Sequence, residues 1–182
     1  MNLDSAVDVF IKDAKEIVLR SFKTDKKLEP QLWVFFNMKT TATDAKLDVT
    51  VFPIISEAIN DQYGKDIIEE GIIELLASMN HVGLTPICVL WTTEAWVRMA
   101  PMESLGKDPK DITMKDVENV PKKEAIMMVF ETDTFAELAC HEILDRDKGE
   151  VDSKSQTNGR QPVNKHAGRF SNFIQKMKEY EW

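Results

Sequence analysis

Near the start of the chain, Val7, Phe10, Ile11, Ala14, Ile17 and Val18 recur at three- and four-residue spacing. That period places them on one face of a helix. Asp4 and Ser5 can cap it, and it runs to about Phe22, before a lysine-rich turn ending Leu28-Glu29-Pro30. Gln31 to Met38 then reads Leu-Trp-Val-Phe-Phe at its centre, β-branched and aromatic and too short for a helix, so it predicts a buried strand. After a polar, threonine-rich loop (Lys39 to Lys46), Leu47 to Ile55 is a second strand, and Pro53 suggests an edge position or a strand end. From Asp61 to Asn80 a second helix buries Ile67, Ile68, Ile72, Leu75, Leu76 and Met79, with Glu69, Glu70 and Glu74 outside and Asn80 as its C-terminal cap.

Gly83 and Pro86 open a third strand, Ile87-Cys-Val-Leu-Trp-Thr-Thr-Glu-Ala-Trp-Val-Arg98. A polar, proline-bounded insert, Met99 to Lys123, separates it from a strand at Lys122 to Glu131 and a Thr132-Asp133-Thr134 turn. Phe135 to Arg146 has two readings. Thr134-Phe-Ala-Glu137 resembles a helix capping box, whereas a strand followed by a short turn favours a hairpin partner. The strand is the favoured reading. Asp145 to Lys165 is polar, with Asn158-Gly159 and Pro162, and is expected to be mobile over about 147–168. Phe170, Phe173, Ile174 and Met177 predict a short C-terminal packing element. The order predicts one α+β domain over residues 1–182, with a mainly antiparallel sheet of about five strands and two long helices packed on one face.

Composition agrees with a globular chain: 182 residues, 43% hydrophobic and 30% charged. The longest apolar runs are too short for a membrane helix, and Met-Asn-Leu-Asp-Ser lacks the basic start and apolar core of a secretory signal. The expected location is the cytoplasm, with no membrane association. Cys88 and Cys140 lie in apolar strand-like segments and read as buried thiols; a disulfide would require their strands to be neighbours.

Charge changes the picture in one place. Net charge is −8, yet Ser153 to Lys178 holds six basic residues and no acid, leaving −14 on the rest. An acidic body disfavours broad nucleic-acid binding. Within the basic window, Arg160, Lys165, His166 and Arg169 are the anion-binding candidates, and nucleic-acid contact there is one alternative function.

Candidate chemistry is sparse. His141-Glu-Ile-Leu-Asp145 resembles a zinc-protease motif with its last ligand changed, and on a helix His141, Glu142 and Asp145 could share a metal. On a strand, His141 and Glu142 point to opposite faces, and His141 becomes a hairpin residue beside solvent. Glu94 and Glu131 sit in facing apolar strands, where paired carboxylates could bind a cation or act as acid and base. A metal-dependent hydrolase or nuclease using Glu94, Glu131 and His141 is therefore a second alternative. Against it, Glu94 reads as an ordinary outward-facing strand residue. The three histidines, His81, His141 and His166, are widely separated, and phosphate-loop, dinucleotide and nucleophile-elbow patterns are absent from the sequence. No cofactor is expected. Trp91 and Trp96 differ by an odd number and so face opposite sides of a regular strand, one of them core and the other covered or free for a partner.

At Trp91-Thr-Thr-Glu-Ala-Trp-Val-Arg98, Pro121-Lys-Lys-Glu-Ala-Ile-Met-Met-Val-Phe-Glu131 and Ile143-Leu-Asp-Arg-Asp-Lys-Gly149, the chain resembles a loose group of small phage- and prophage-encoded proteins. The resemblance covers roughly Thr85 to Gly149; where that group begins its second strand with an Asp-Arg-Glu type sequence, this chain has Lys122-Lys123-Glu124. The group brings no catalytic residue. It implies a small accessory protein of a phage or prophage acting in a bacterial host cytoplasm. The absence of an assembled catalytic motif, beside an aromatic-rich strand and a split charge distribution, makes a non-enzymatic accessory or interaction protein, cytoplasmic or virion-associated, the leading expectation, with a host or virion protein as partner and Trp91, Glu94 and Trp96 as interaction candidates.

Overall fold

A computed structural model describes residues 3–38, 46–54, 62–98, 106, 113–154, 156–163 and 172–180. Helix α1 (Leu3–Asp25) leads into strands β1 (Gln31–Met38) and β2 (Lys46–Pro53), helix α2 (Gln62–His81) and the long strand β3 (Leu84–Arg98). A short helix α3 (Met114–Val117) precedes β4 (Lys122–Glu131), β5 (Phe135–Asp145), β6 (Glu150–Val151) and β7 (Gln156–Pro162), and α4 (Phe173–Glu179) ends the described chain. The fold is α+β.

All strand pairings are antiparallel, in the order β2-β1-β3-β4-β5-β6, with β7 also pairing β5. The described residues form seven strands rather than about five. The extra two come from the polar stretch expected to be mobile. Its residues supply backbone partners to the free edge of β5, and that pairing needs no apolar side chains. Phe135 to Asp145 is a strand, as the hairpin reading favoured.

The two long helices do not share a face, contrary to the sequence expectation. Trp33 and Phe35 pack with Phe10, Ala14, Val18 and Phe22 of α1. Leu32, Val34 and Phe36 pack instead with Ile72 and Leu76 of α2 and with Phe173, Ile174 and Met177 of α4. Leu32 through Phe36 are buried without interruption, which is possible only when helices cover both faces of the strand. Fully burying side chains such as Phe22, Leu32 and Phe130 contributes about 2 kcal/mol each.

Local signals explain the ends. Lys26 stops α1 in the left-handed region at φ 60°, donating its N–H to the Phe22 carbonyl at 2.7 Å. Gly83, at φ 87°, closes α2, a role the sequence reading gave to Asn80. Pro86 lies inside β3, where the pairing with β1 shifts register and skips Ile87, an irregularity that accommodates a residue without an N–H. Pro53 does mark an edge, since β2 is the outer strand. Ile17 and Ile67, expected on buried faces, are exposed.

Candidate functional site

Alternation along β3 sorts its side chains between the two helical layers. Leu90 joins the α1 core while Trp91 joins the α2 core, so the even positions Thr92, Glu94, Trp96 and Arg98 follow Leu90. Trp91 is 4% exposed and Trp96 is 66% exposed. One tryptophan is core and the other stands at the surface. Trp96 is paired with Glu124, and Arg98 with Lys122, toward the open end of the β3–β4 ribbon. Arg98 Nη1 donates to the carbonyls of Glu118 and Val120 at 2.5 Å each, which ties the return from the insert to the strand end.

Glu94 is not an outward-facing strand residue. Its Oε1 accepts the Leu28 N–H at 2.6 Å and its Oε2 accepts Arg146 Nη2 at 2.6 Å. The same guanidinium lies 2.6 Å from Glu124 Oε1, donates to the Lys26 carbonyl at 2.8 Å and sits 5.6 Å from the Phe22 ring centroid. Glu94 first and then Glu124 hold Arg146 in its charged form, raising its already high pKa further against partial burial. Arg146 was not singled out from sequence. Its signal was indirect: a carboxylate half-buried in an apolar strand needs a cation, and that cation lies in the tract Leu144-Asp-Arg-Asp-Lys148.

Glu131 does not approach Glu94. It pairs with Val89, five residues away along β3, about 17 Å at strand rise, and it faces the α2 layer rather than the α1 layer. Only 2% exposed, it accepts the backbone N–H groups of Asn172 and, at 2.9 Å, Ile174, and so caps the start of α4. Burial pushes its pKa up, against the backbone donors and Lys176, which pull it down. Asn172 itself is left-handed at φ 62° and makes no side-chain cap bond, so the capping group comes from another element.

His141 is buried rather than beside solvent, with Nδ1 2.9 Å from the Asp152 carbonyl. It pairs with Ile126 and faces the α1 layer; Glu142 faces the other way and bonds Lys123 at 2.6 Å. Asp145 is held by Lys148 Nζ at 2.7 Å, which lowers its pKa. The strand thus separates the three metal candidates, and among the described residues no group of three His, Cys, Asp or Glu could hold a metal ion. Glu94, Glu131 and His141 likewise form no common site.

Of the anion candidates, Arg160 is committed to internal partners. It pairs with Asp8 and with Glu137 at 3.4 Å, and its guanidinium lies 4.2 Å from the Phe135 centroid. Lys165, His166 and Arg169 lie outside the described residues. Cys88 and Cys140 are free and buried, on β3 and β5 with β4 between them, which rules out a disulfide. Burial pushes the Cys88 thiol up to about 12 and raises Cys140 as well. Among the described residues no helix is long and apolar enough to cross a membrane.

Comparison with models of known families, with curated proteins and with solved structures gives no match.

Proposed function

We propose that this chain is a non-enzymatic interaction protein of the phage-accessory type, acting in a bacterial cytoplasm or on a virion, and that it binds a protein partner through the end of the β3–β4 ribbon centred on Trp96. The observation that carries the reading is the 66% exposure of Trp96 on a strand whose other tryptophan is core. Tryptophan is the residue type most enriched among interface anchors. Covering the exposed two-thirds of its surface is worth on the order of 3–4 kcal/mol before association costs. The ionisable groups Glu94, Glu131 and His141 are engaged in bonds that hold elements together.

Affinity capture from bacterial lysate with the wild-type chain and with Trp96→Ala tests this. A stoichiometric partner retained by wild type and lost by the variant, at equal thermal stability, supports it. Equal capture by both proteins removes Trp96 from the interface and the reading with it.

A further inference from the structure

The apolar face of α1 is wider than the sheet covers. Beside the core stripe runs a second one, Val9, Asp13 and Ile17 at i, i+4 and i+8, and it faces the outer strand β2. Between them lies a cleft of about 350 Å³ with Phe10, Trp33 and Phe35 among its lining residues. Its rims are aliphatic and open to solvent: Val9 is 49% exposed, Ile17 38%, Val49 39% and the neighbouring Val51 43%. Contiguous apolar surface of this kind on a monomer marks a binding surface more often than chance.

We infer that the cleft between α1 and β2 docks a short amphipathic helix with a basic edge, supplied by a protein partner. Three observations select that occupant. The first concerns the backbone edge. Ile54 donates its N–H to the Pro30 carbonyl, so by antiparallel alternation residues 52, 50, 48 and 46 bond to β1 and residues 47, 49, 51 and 53 turn theirs outward. Of these, Val49 N–H is already taken by Asp48 Oδ1 at 2.8 Å, and Pro53 has none. Only Leu47 and Val51 keep an outward N–H, so an added strand would meet an interrupted ladder while the side-chain face stays open.

The second is size. The rim from Val9 to Ile17 spans about 12 Å of helix, and Leu47 to Val51 about 14 Å of strand, which matches two to three turns of a partner helix. Helices pack 8–10 Å apart, and β2 lies two strand spacings, about 10 Å, from β3. The third is charge. Leu47, Val49 and Val51 carry none, Asp13 is the one charged residue among those lining the cleft, and it has no ion pair among the described residues. A second copy of this chain would bring together two molecules that each carry a net charge of −8. A basic edge complements the rim instead.

The surface is distinct from Trp96. Cys88, opposite Phe35, is eight residues from Trp96 along β3, about 27 Å. The experiment uses the full chain and a fluorescent peptide of about 14 residues, with leucines on one helical face and lysines on its flanks. A glutamate-flanked version and a scrambled peptide of the same lysine and leucine content serve as controls. We expect the lysine amphipathic peptide to bind, the scrambled and glutamate peptides to bind at least about tenfold more weakly, and Ile17→Arg or Val49→Arg to weaken binding by about tenfold or more. Asp13→Lys should weaken it several-fold, and Trp96→Ala should leave it unchanged, so failure here is separable from failure at the tryptophan. Equal binding of the scrambled or glutamate peptide, or indifference to both arginine substitutions in folded protein, overturns the proposal. So does a dimer in sedimentation that Val49→Arg dissociates, because the occupant would then be a second copy.

Discussion

Arg146 Nη2 stands 2.6 Å from Glu94 Oε2 and 2.6 Å from Glu124 Oε1, so one guanidinium joins the end of β5 to both strands of the ribbon that carries Trp96. The same side chain reaches the Lys26 carbonyl, and Glu94 takes the Leu28 N–H. The α1–β1 turn is therefore built around this pair.

Removing Glu94 leaves a backbone donor and part of a guanidinium without an acceptor. Glu94→Ala should destabilise the fold by about 2 kcal/mol and Arg146→Ala by about 1–2 kcal/mol. Because Arg146 keeps a third of its side chain in solvent, screening limits the coupling in a double-mutant cycle to about 1 kcal/mol, smaller still at high salt. Urea denaturation of the four proteins measures it; additive effects would show that the contact does not contribute.

The two tryptophans should separate cleanly. Trp91→Ala opens a cavity in the α2 core and should cost about 3–5 kcal/mol, whereas Trp96→Ala should fall within about 0.5 kcal/mol of wild type. Thermal melts of both variants decide this. Comparable losses would mean that Trp96 is packed.

Glu131 predicts a pH dependence with a definite sign. Its folded-state pKa is raised by burial, so between the unfolded value, about 4.3, and that higher value the native state binds more protons than the unfolded one. Stability from this group is therefore full below the unfolded pKa and falls as pH rises toward the folded pKa. Glu131→Gln stays neutral and lacks this slope. The stability of wild type relative to Glu131→Gln, from urea midpoints between pH 4 and 7, should decline with rising pH; a flat difference would contradict the burial described for the carboxylate.

Gly149 turns β5 into β6 at φ 66°, and a Cβ there would lie 2.7 Å from the Lys23 carbonyl oxygen and 2.9 Å from its Cα. Gly159, at φ 65°, has no atom within 4 Å of such a Cβ. Gly159→Ala should cost only the left-handed strain, about 1 kcal/mol, and Gly149→Ala at least about 1 kcal/mol more, because the obstructing atoms are backbone. Equal melting temperatures for the two variants would show that α1 and the turn can move apart.

The wider lesson lies in which kinds of pattern the chain displays. Helical spacing at Val7 to Val18 and the apolar runs at Gln31 to Met38 and Lys122 to Glu131 place α1, β1 and β4 correctly, since period and burial are local properties of consecutive residues. The same logic requires Trp91 and Trp96 to part company. β7 leaves no such trace, because an exposed edge strand is held by backbone bonds that polar residues make as well as apolar ones.

By itself, then, the sequence determined the two long helices and the first five strands, their antiparallel habit and the opposition of the two tryptophans, which follow from the periods of helix and strand and from short turns. Tertiary structure alone decided that the helices divide between the two faces, which tryptophan is exposed, that Glu94 meets Arg146 while Glu131 caps α4, and that α1 leaves the β2 side of its apolar face uncovered. The side-chain bonds among them join residues 41 to 122 positions apart, as with Glu131 and Asn172 or Lys15 and Glu137. No local period encodes such distances; they are set when the sheet assembles and the helices divide between its two faces.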